Sequence, residues 1–194
     1  MRKLILASGS KQRIALMEAL NVPFIAIAAV IDEKAIRDSN LVTQAEKIAR
    51  AKAEWVFSKH TDSVVVAGDS FNVMNGKVFE KPQTLIEAKH MLEVQSGQRG
   101  FVYAGICYID KEKNINISKT IQIPFQFRKF THEEIDGYID KFPVLTWAGG
   151  MSPAYIYGMT LIQTMNGSLT GLAHGFPMEE VIPLLQQSGF TIKP

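Results

Sequence analysis

Residues 7–13 (ASGSKQR) place two hydroxyls and an arginine between an apolar run and an amphipathic run. Such a strand–turn–helix junction exposes backbone amides at a helix N-terminus, where an anion is stabilised. Ser8 and Ser10 can add hydrogen bonds, and Arg13 offers the forked donor that suits a phosphate. The spacing of a Walker loop, Gly-x-x-x-x-Gly-Lys, is absent. The segment predicts a phosphate-binding turn, with a plain turn capped by Ser10 as the alternative.

Two acidic positions could handle a cation or a water molecule. Asp69, within Gly-Asp-Ser at 68–70, follows the β-branched residues 64–66. Open α/β sheets bind ligands at the carboxyl ends of their strands, so a carboxylate there can hold a hard cation or act as a base. Glu33, in the pair Asp32-Glu33, is the second candidate. A capping or turn role is the alternative for Asp69.

Two lysines could neutralise phosphate charge. Lys81 lies in Glu-Lys-Pro at 80–82, where the following proline restricts the backbone. Lys52 lies among alanines in the helical run 49–53, so its stem could reach a cleft. The alternative for both is a solvated lysine on the protein surface.

The elements that must position these residues alternate along the first half of the chain. Apolar runs predict strands at 3–7, 23–28, 63–67, 101–109, 115–127 and 190–192. Asn75-Gly76 marks a hairpin turn. Strand–helix alternation followed by a long antiparallel pair predicts a mixed α/β sheet flanked by helices on both sides.

Amphipathic periodicity predicts the helices at 11–20, 41–59, 85–95, 131–141 and 178–188. Thr43 with Glu46 is expected to cap the second helix, and Thr131 with Glu134 the fourth, each as a capping box. Residues 142–177 are rich in Gly and Pro and give the weakest pattern.

The composition excludes several classes of protein. The chain has 194 residues, 46% hydrophobic and 21% charged, with a net charge of +2 that gives no indication of a nucleic-acid partner. Its single cysteine, Cys107, lies in an apolar run and is expected to be a buried, inert thiol. The apolar stretch 4–7 is too short for a signal peptide, and no run could span a membrane. We therefore expect a cytoplasmic protein with no membrane partner.

The candidate motifs occur in an ordered set: Ala-Ser-x-Ser-x-x-Arg, Asp-Glu, Ala-x-x-Lys-Ala, Gly-Asp-Ser, Glu-Lys-Pro and Ser-Gly-Gln-Arg at 96–99. This order resembles the Maf family of nucleotide pyrophosphatases, also called septum formation inhibitor-like proteins. The resemblance covers most of the chain and is clearest over residues 4–102.

The resemblance implies a metal-dependent hydrolase that converts a nucleoside triphosphate to the monophosphate and pyrophosphate. Members of the family prefer either dTTP and UTP or 7-methyl-GTP and related nucleotides. The fold implied is Maf/ITPase-like: an elongated mixed sheet with two lobes around a central cleft. Residues 1–194 would form one such domain, and two copies can form a homodimer.

The resemblance also implies roles for individual residues. Ser8, Ser10 and Arg13 would bind the phosphates of the substrate. The catalytic set would be Asp69, Glu33, Lys52 and Lys81. Within that set, Asp69 and Glu33 would hold the divalent metal, Mg²⁺ or Mn²⁺.

Several positions depart from the family pattern. The loop that usually reads Ser-Pro-Arg-Arg has Gln12 in place of its first arginine, and Trp147 replaces a lysine before Ala-Gly. Extra residues occur around 151–153 and near His174. These changes motivate the alternative of a weakened Maf-fold protein that binds a nucleotide or a cell-division partner without turnover.

The aromatic residues of the last third allow two interpretations. Trp147, Tyr155 and Tyr157 could stack on a purine or a methylated cationic base. Alternatively, their rings pack the second lobe. His174 could belong to the site, although a histidine in a loop is more often exposed or structural.

Overall fold

The computed structural model describes residues 2–192, and its central element is a mixed sheet of seven strands. The strands are β1 (Leu4–Leu6), β2 (Ile25–Ala26), β3 (Val64–Met74), β4 (Lys77–Phe79), β5 (Arg99–Asp110), β6 (Ile115–Phe127) and β7 (Ile162–Met165). Their order is β2-β1-β3-β5-β6-β7, with β4 paired to the end of β3. The pairs made by β1 are parallel and all the others are antiparallel. The predicted mixed α/β class is confirmed.

Seven α-helices accompany the sheet in the described part of the chain. They are α1 (Lys11–Glu18), α2 (Leu41–Phe57), α3 (Leu85–Gln95), α4 (His132–Lys141), α5 (Ile156–Thr160), α6 (Leu169–His174) and α7 (Met178–Gln187). Short 3-10 turns occupy Glu33–Ala35, Val144–Thr146 and Ala148–Gly150. None of the helices within residues 2–192 has the length and apolarity needed to cross a bilayer.

One of the two predicted capping boxes is present. Thr131 accepts a hydrogen bond from the backbone N–H of Glu134, and the Glu134 side chain accepts one from the backbone N–H of Thr131. The prediction that Thr43 caps α2 is wrong. Asn40 caps this helix, accepting from the N–H of Val42 at 2.9 Å, because the helix begins two residues before Thr43.

Helices cover both faces of the sheet. On one face, α2 contributes Ala49, Ala53 and Val56 to a core with Cys107 and the neighbouring strands. The opposite face packs against α1 and α7, and a separate aromatic core gathers α3 and α4 over the far end of β5 and β6. Burial raises the pKa of the Cys107 thiol to about 11, which confirms the expected inert, buried cysteine.

The central strand β3 carries chemistry on both of its faces. It extends to Met74, beyond the predicted end at residue 67, so Asp69 lies inside the strand rather than after it. Side chains alternate along a strand, which places Asp69 toward α2 and Ser70 toward α1. The helix α2 lies very close to the sheet, since a Cβ on Gly105 would sit 2.3 Å from the carbonyl oxygen of Ala45. Only glycine allows this approach.

The predicted final strand at 190–192 is wrong. The chain leaves α7 through Gly189, whose φ is +85°, and the N–H of Phe190 bonds to the carbonyl of Leu185 at 3.0 Å. Phe190 then buries its ring in the core beside α1 and α7. The backbone N–H of Phe190 is thus used by the helix-terminating turn, and its ring is buried without strand pairing.

A polar network joins residues near the two ends of the chain at the last residues of β5. Arg2 donates to both carboxylate oxygens of the buried Asp110, and it also donates to the carbonyl of Ser188 at 3.1 Å. The Ser188 hydroxyl in turn accepts from the hydroxyl of Tyr108 at 2.8 Å. Burial alone would raise the pKa of Asp110, but the hydrogen bonds, chiefly from Arg2, hold it at about 2.

The substitution Asp110→Asn should lower the free energy of unfolding by about 2 kcal/mol at pH 7, because it removes a charged hydrogen-bonded pair. The folded-state pKa lies below the unfolded value of about 3.9. The carboxylate therefore stabilises the fold above that pH, and its contribution is lost as the pH falls toward 2.

Urea denaturation of wild type and variant at pH 7 and pH 3 measures the effect. Asp136→Asn is the matched control, because Asp136 and its partner Lys89 are both exposed. This substitution should change the free energy of unfolding little at either pH. A destabilisation by Asp110→Asn of the same size at both pH values would contradict the lowered pKa of Asp110 in the folded protein.

Candidate active site

A cavity of about 430 Å³ is lined by the part of β3 where one edge is unpaired. Along that edge of β3, the pairing with β1 ends at Val66 and the pairing with β4 begins at Asn72. Asp69 and Ser70 lie in the gap between the two. The cavity is lined by every residue predicted for the site: Ser8, Ser10, Arg13, Glu33, Lys52, Asp69 and Lys81.

The turn between β1 and α1 is held by its own serines. The hydroxyl of the buried Ser8 accepts a hydrogen bond from the N–H of Ser10 at 3.2 Å. Ser10 is the N-cap of α1, as predicted, and its hydroxyl accepts from the N–H of Arg13 at 3.5 Å. These bonds shape a short turn whose exposed residue, Gly9, also lines the cavity.

Arg13 is a fixed cation in the cavity wall. Its side chain is buried, with one terminal nitrogen donating to the carbonyl of Gly68 at 2.8 Å and the other to the hydroxyl of Ser70 at 2.9 Å. Its Nε is buried and bonds to nothing within residues 2–192. Burial lowers the pKa of Arg13, an effect opposed by the charges of Asp69 and Glu33, but a guanidinium stays protonated at neutral pH.

Lys52 joins the two predicted acidic residues. Its Nζ lies 2.8 Å from Oε2 of Glu33 and 2.8 Å from Oδ1 of Asp69. The side chains of Lys52 and Asp69 are 11% and 13% exposed, whereas that of Glu33 is 48% exposed. Asp32 takes no part, since its carboxylate caps the turn that carries Glu33. One ammonium from α2 therefore balances two carboxylates from separate segments.

Lys81 lies beside a loop from the last third of the chain. The N–H of Gly149 donates to the carbonyl of Glu80 at 2.9 Å, and its own carbonyl accepts from the buried Gln95 side chain at 2.7 Å. Gly149 has a φ of +68°, and a Cβ there would lie 2.9 Å from the Gln95 oxygen. Glycine is therefore required where this loop passes Lys81.

Sequence reasoning missed the hydrogen bond that crosses the cavity. Gln12 donates from Nε2 to the hydroxyl of Ser152 at 2.8 Å, and both residues line the cavity. The backbone N–H of Ser152 donates to the hydroxyl of Tyr138 at 3.2 Å, so α4 supports this contact. No local sequence pattern predicts a hydrogen bond between residues 140 positions apart. Ser70 was also missed as the partner of Arg13, although it follows Asp69 directly.

The aromatic residues of the last third pack mainly against one another. Trp147 is only 8% exposed, and its ring centroid lies 4.8 Å from that of Tyr155 and 6.3 Å from that of Tyr138. Tyr157 packs against Tyr138 at 5.8 Å. Most of the Trp147 surface is therefore buried by packing, as the second interpretation predicted, although this residue also lines the cavity.

His174 is neither in a loop nor fully exposed. It is the last residue of α6 and lines the cavity. Its Nδ1 is buried and makes no hydrogen bond with residues 2–192. Burial lowers the pKa of His174, which favours the neutral form of the imidazole.

The carboxylates of the cavity do not form a complete metal site by themselves. Within residues 2–192, no group of three or more His, Cys, Asp or Glu side chains could hold a metal ion. Asp69 and Glu33 supply two carboxylates that already share the Lys52 ammonium. Mg²⁺ is commonly bound by one or two carboxylates together with substrate phosphates. The residues thus fit a cation that enters with a phosphorylated ligand.

The mixed sheet and this cavity, with its fixed cations and paired carboxylates, define an α/β protein with a site suited to a phosphorylated ligand. Residues 3–188 match the family described as Maf-like protein, and the chain belongs to that family. The resemblance drawn from the motifs is confirmed.

Curated relatives match over almost their whole length. The chain is 30% identical to a 7-methyl-GTP pyrophosphatase of Nitrosococcus oceani, covering 97% of this chain and 94% of the relative. It is 30% identical to a dTTP/UTP pyrophosphatase of Syntrophus aciditrophicus, covering 96% and 90%. It is 31% identical to a dTTP/UTP pyrophosphatase of Bacillus cytotoxicus, covering 96% of each chain.

The bond between Gln12 and Ser152 should be measurable as a coupling energy. In a double-mutant cycle of Gln12→Ala and Ser152→Ala, the free energies of unfolding should depart from additivity by about 1 kcal/mol, the usual net value of one hydrogen bond. Urea denaturation of the four proteins measures it.

The matched control pairs Gln12→Ala with Ser118→Ala, since Ser118 lies on β6 and bonds to the carbonyl of Ile106. That cycle should be additive. Additivity in the Gln12 and Ser152 cycle as well would mean that no bond joins the two sides of the cavity in solution.

Proposed function

We propose that this protein is a cytoplasmic hydrolase that converts a nucleoside triphosphate to the monophosphate and pyrophosphate with the help of Mg²⁺ or Mn²⁺. The observation that carries the proposal is the cluster of Lys52, Asp69 and Glu33 facing the same cavity as Arg13. The names of the related pyrophosphatases support it.

The polyphosphate would lie between the turn at 8–10 and Lys81. The Ser8–Ser10 turn offers backbone amides and hydroxyls at the N-terminus of α1, which attract an anion. Hydrogen bonds to Gly68 and Ser70 fix the guanidinium of Arg13, so its charge is in place before the ligand binds. Lys81 is exposed and can follow the phosphate chain as it binds.

Asp69 would act on the attacking water. Its Oδ1 accepts from Lys52, while Oδ2 receives no hydrogen bond from residues 2–192. The second oxygen can therefore orient a water molecule toward the α-phosphorus and accept its proton. As the bond to the leaving pyrophosphate breaks, negative charge grows on the phosphoryl oxygens, and Arg13, Lys52 and Lys81 would stabilise it.

Glu33 and Asp69 are the residues that would hold the divalent cation. A bound Mg²⁺ or Mn²⁺ would neutralise phosphate charge and polarise the phosphorus centre. Lys52 keeps the two carboxylates together when no phosphate is present, because their mutual repulsion is offset by its ammonium.

The substitution Asp69→Asn tests the proposed base. It should reduce pyrophosphate release about a hundredfold to ten-thousandfold, the range supplied by a positioned general base. The assay is release of pyrophosphate from UTP, dTTP, GTP and 7-methyl-GTP, with Mg²⁺ and with Mn²⁺. The amide keeps the shape of the carboxylate, so circular dichroism should show an unchanged fold.

The matched control is Asp140→Asn, an exposed acidic residue outside the cavity lining, which should retain wild-type activity. An Asp69→Asn protein with normal turnover would remove Asp69 from the mechanism. A folded wild type that releases pyrophosphate from no nucleotide, with either metal, would refute the proposed activity.

The substitution Lys52→Met removes the ammonium that joins Glu33 and Asp69. Methionine has a similar length without the charge, so Glu33 and Asp69 would lose their cation. The variant should bind Mn²⁺ in the absence of nucleotide at least about tenfold more tightly than wild type. Water-proton relaxation of Mn²⁺ measures this binding directly.

The same variant should hydrolyse nucleotides poorly, because it lacks one of the proposed cations. Lys47→Met is the control, since Lys47 lies on the same helix but pairs with Asp38. Equal Mn²⁺ affinity in wild type and Lys52→Met would show that the ammonium does not compete with the metal.

A second candidate function is nucleotide binding without turnover. It is favoured by the uncharged wall of the cavity, where Gln12 bonds to Ser152 and Trp147 packs against other rings. Cations at these two positions would add to phosphate binding. This alternative predicts that a nucleotide raises the melting temperature while no pyrophosphate appears.

A further inference from the structure

We infer that His174 is a substrate-binding residue that donates a hydrogen bond from Nε2–H to a phosphate oxygen. The inference deepens the proposed function and rests on it. The side chain of His174 has no role in the proposed mechanism. His174 lines the same cavity as Arg13 and Asp69, and it has a buried nitrogen without a partner within residues 2–192.

The backbone places His174 next to the phosphate-binding side of the cavity. The following residue, Gly175, ends α6 with a φ of +61°, and its N–H donates to the carbonyl of Gly171. A Cβ on Gly175 would lie 1.9 Å from the hydroxyl of Ser70 and 3.2 Å from a terminal nitrogen of Arg13. The backbone of Gly175 therefore lies directly against Ser70 and Arg13, and only glycine fits there.

The two ring nitrogens have different surroundings. Nδ1 is buried without a partner, whereas the side chain as a whole is only half-buried and lines the cavity. A buried N–H left without an acceptor is rarer and more costly than an unused lone pair. The favoured tautomer therefore leaves Nδ1 unprotonated and carries its proton on Nε2. Nε2, which is not among the buried unpartnered atoms, is then the donor of the ring.

A donor at this position needs an acceptor, which the described protein does not supply. The groups beside the adjoining Gly175 are Arg13, a cation with no acceptor, and the Ser70 hydroxyl, which already accepts from Arg13. A phosphate bound at Arg13 would bring acceptor oxygens to the same region. Because burial favours the neutral imidazole, His174 would add a directional hydrogen bond without adding charge.

Three substitutions at this position separate a donor from a packing residue. In His174→Gln the side-chain amide nitrogen reaches the region of Nε2, whereas in His174→Asn it reaches only that of Nδ1. His174→Leu removes both nitrogens and keeps the bulk. His132→Leu is the control, because His132 is exposed and lies on α4 outside the cavity lining.

Calorimetry with inorganic triphosphate measures binding without requiring turnover. His174→Leu and His174→Asn should each weaken the affinity about tenfold, as the loss of one hydrogen bond to a charged group predicts. His174→Gln should stay within about threefold of wild type, and His132→Leu should not change. For nucleotide hydrolysis, KM should follow the same order, while the melting temperature of His174→Leu should not fall.

Wild-type triphosphate affinity in both His174→Leu and His174→Asn would overturn the inference and leave His174 as a packing residue. Equal losses in the Gln, Asn and Leu variants would overturn it as well, because donor position would not matter. A wild type that binds triphosphate in a His174-dependent way but releases no pyrophosphate would refute only the proposed function. A wild type that binds no triphosphate at all would overturn the inference, while pyrophosphate release from nucleotides would decide the proposed function separately.

Discussion

The ammonium of Lys52, held 2.8 Å from both Asp69 and Glu33, is the contact on which the arrangement of the cavity depends. Two ionised carboxylates that approach each other repel, and here the ammonium of a lysine on α2 offsets that repulsion. The contact requires α2 to lie almost on the sheet, which only the absence of a Cβ at Gly105 allows. A packing constraint in the core thus sets the electrostatics of the proposed site.

A second cation is fixed on the opposite face of the same strand. Arg13 bonds to the carbonyl of Gly68 and the hydroxyl of Ser70, and the backbone of Gly175 lies against Ser70 and Arg13. Successive residues of β3 therefore organise two charged groups on its two faces. The free edge between β1 and β4 leaves both accessible to one ligand.

The departures from the family pattern are physically linked. Gln12, where an arginine is usual, donates to Ser152, which lies in the segment with extra residues. Ser152 is in turn held by Tyr138, and that ring packs beside Trp147, where a lysine is usual. A neutral hydrogen bond and an aromatic cluster thus replace two positive charges. The proposed function relies on the remaining cations, Arg13, Lys52 and Lys81.

The sequence by itself determined the mixed sheet, most of the helices and the seven candidate residues, because apolar periodicity and local motifs depend only on neighbouring residues. It placed Asp69 after a strand that in fact continues to Met74, since the pairing with β5 that extends β3 joins residues far apart in the chain. Only the tertiary structure brought Lys52 between two carboxylates, Gln12 to Ser152 and Gly175 beside Arg13. These contacts join residues far apart in the chain, and the packing of α2, α6 and the 149–152 loop against the sheet decides them.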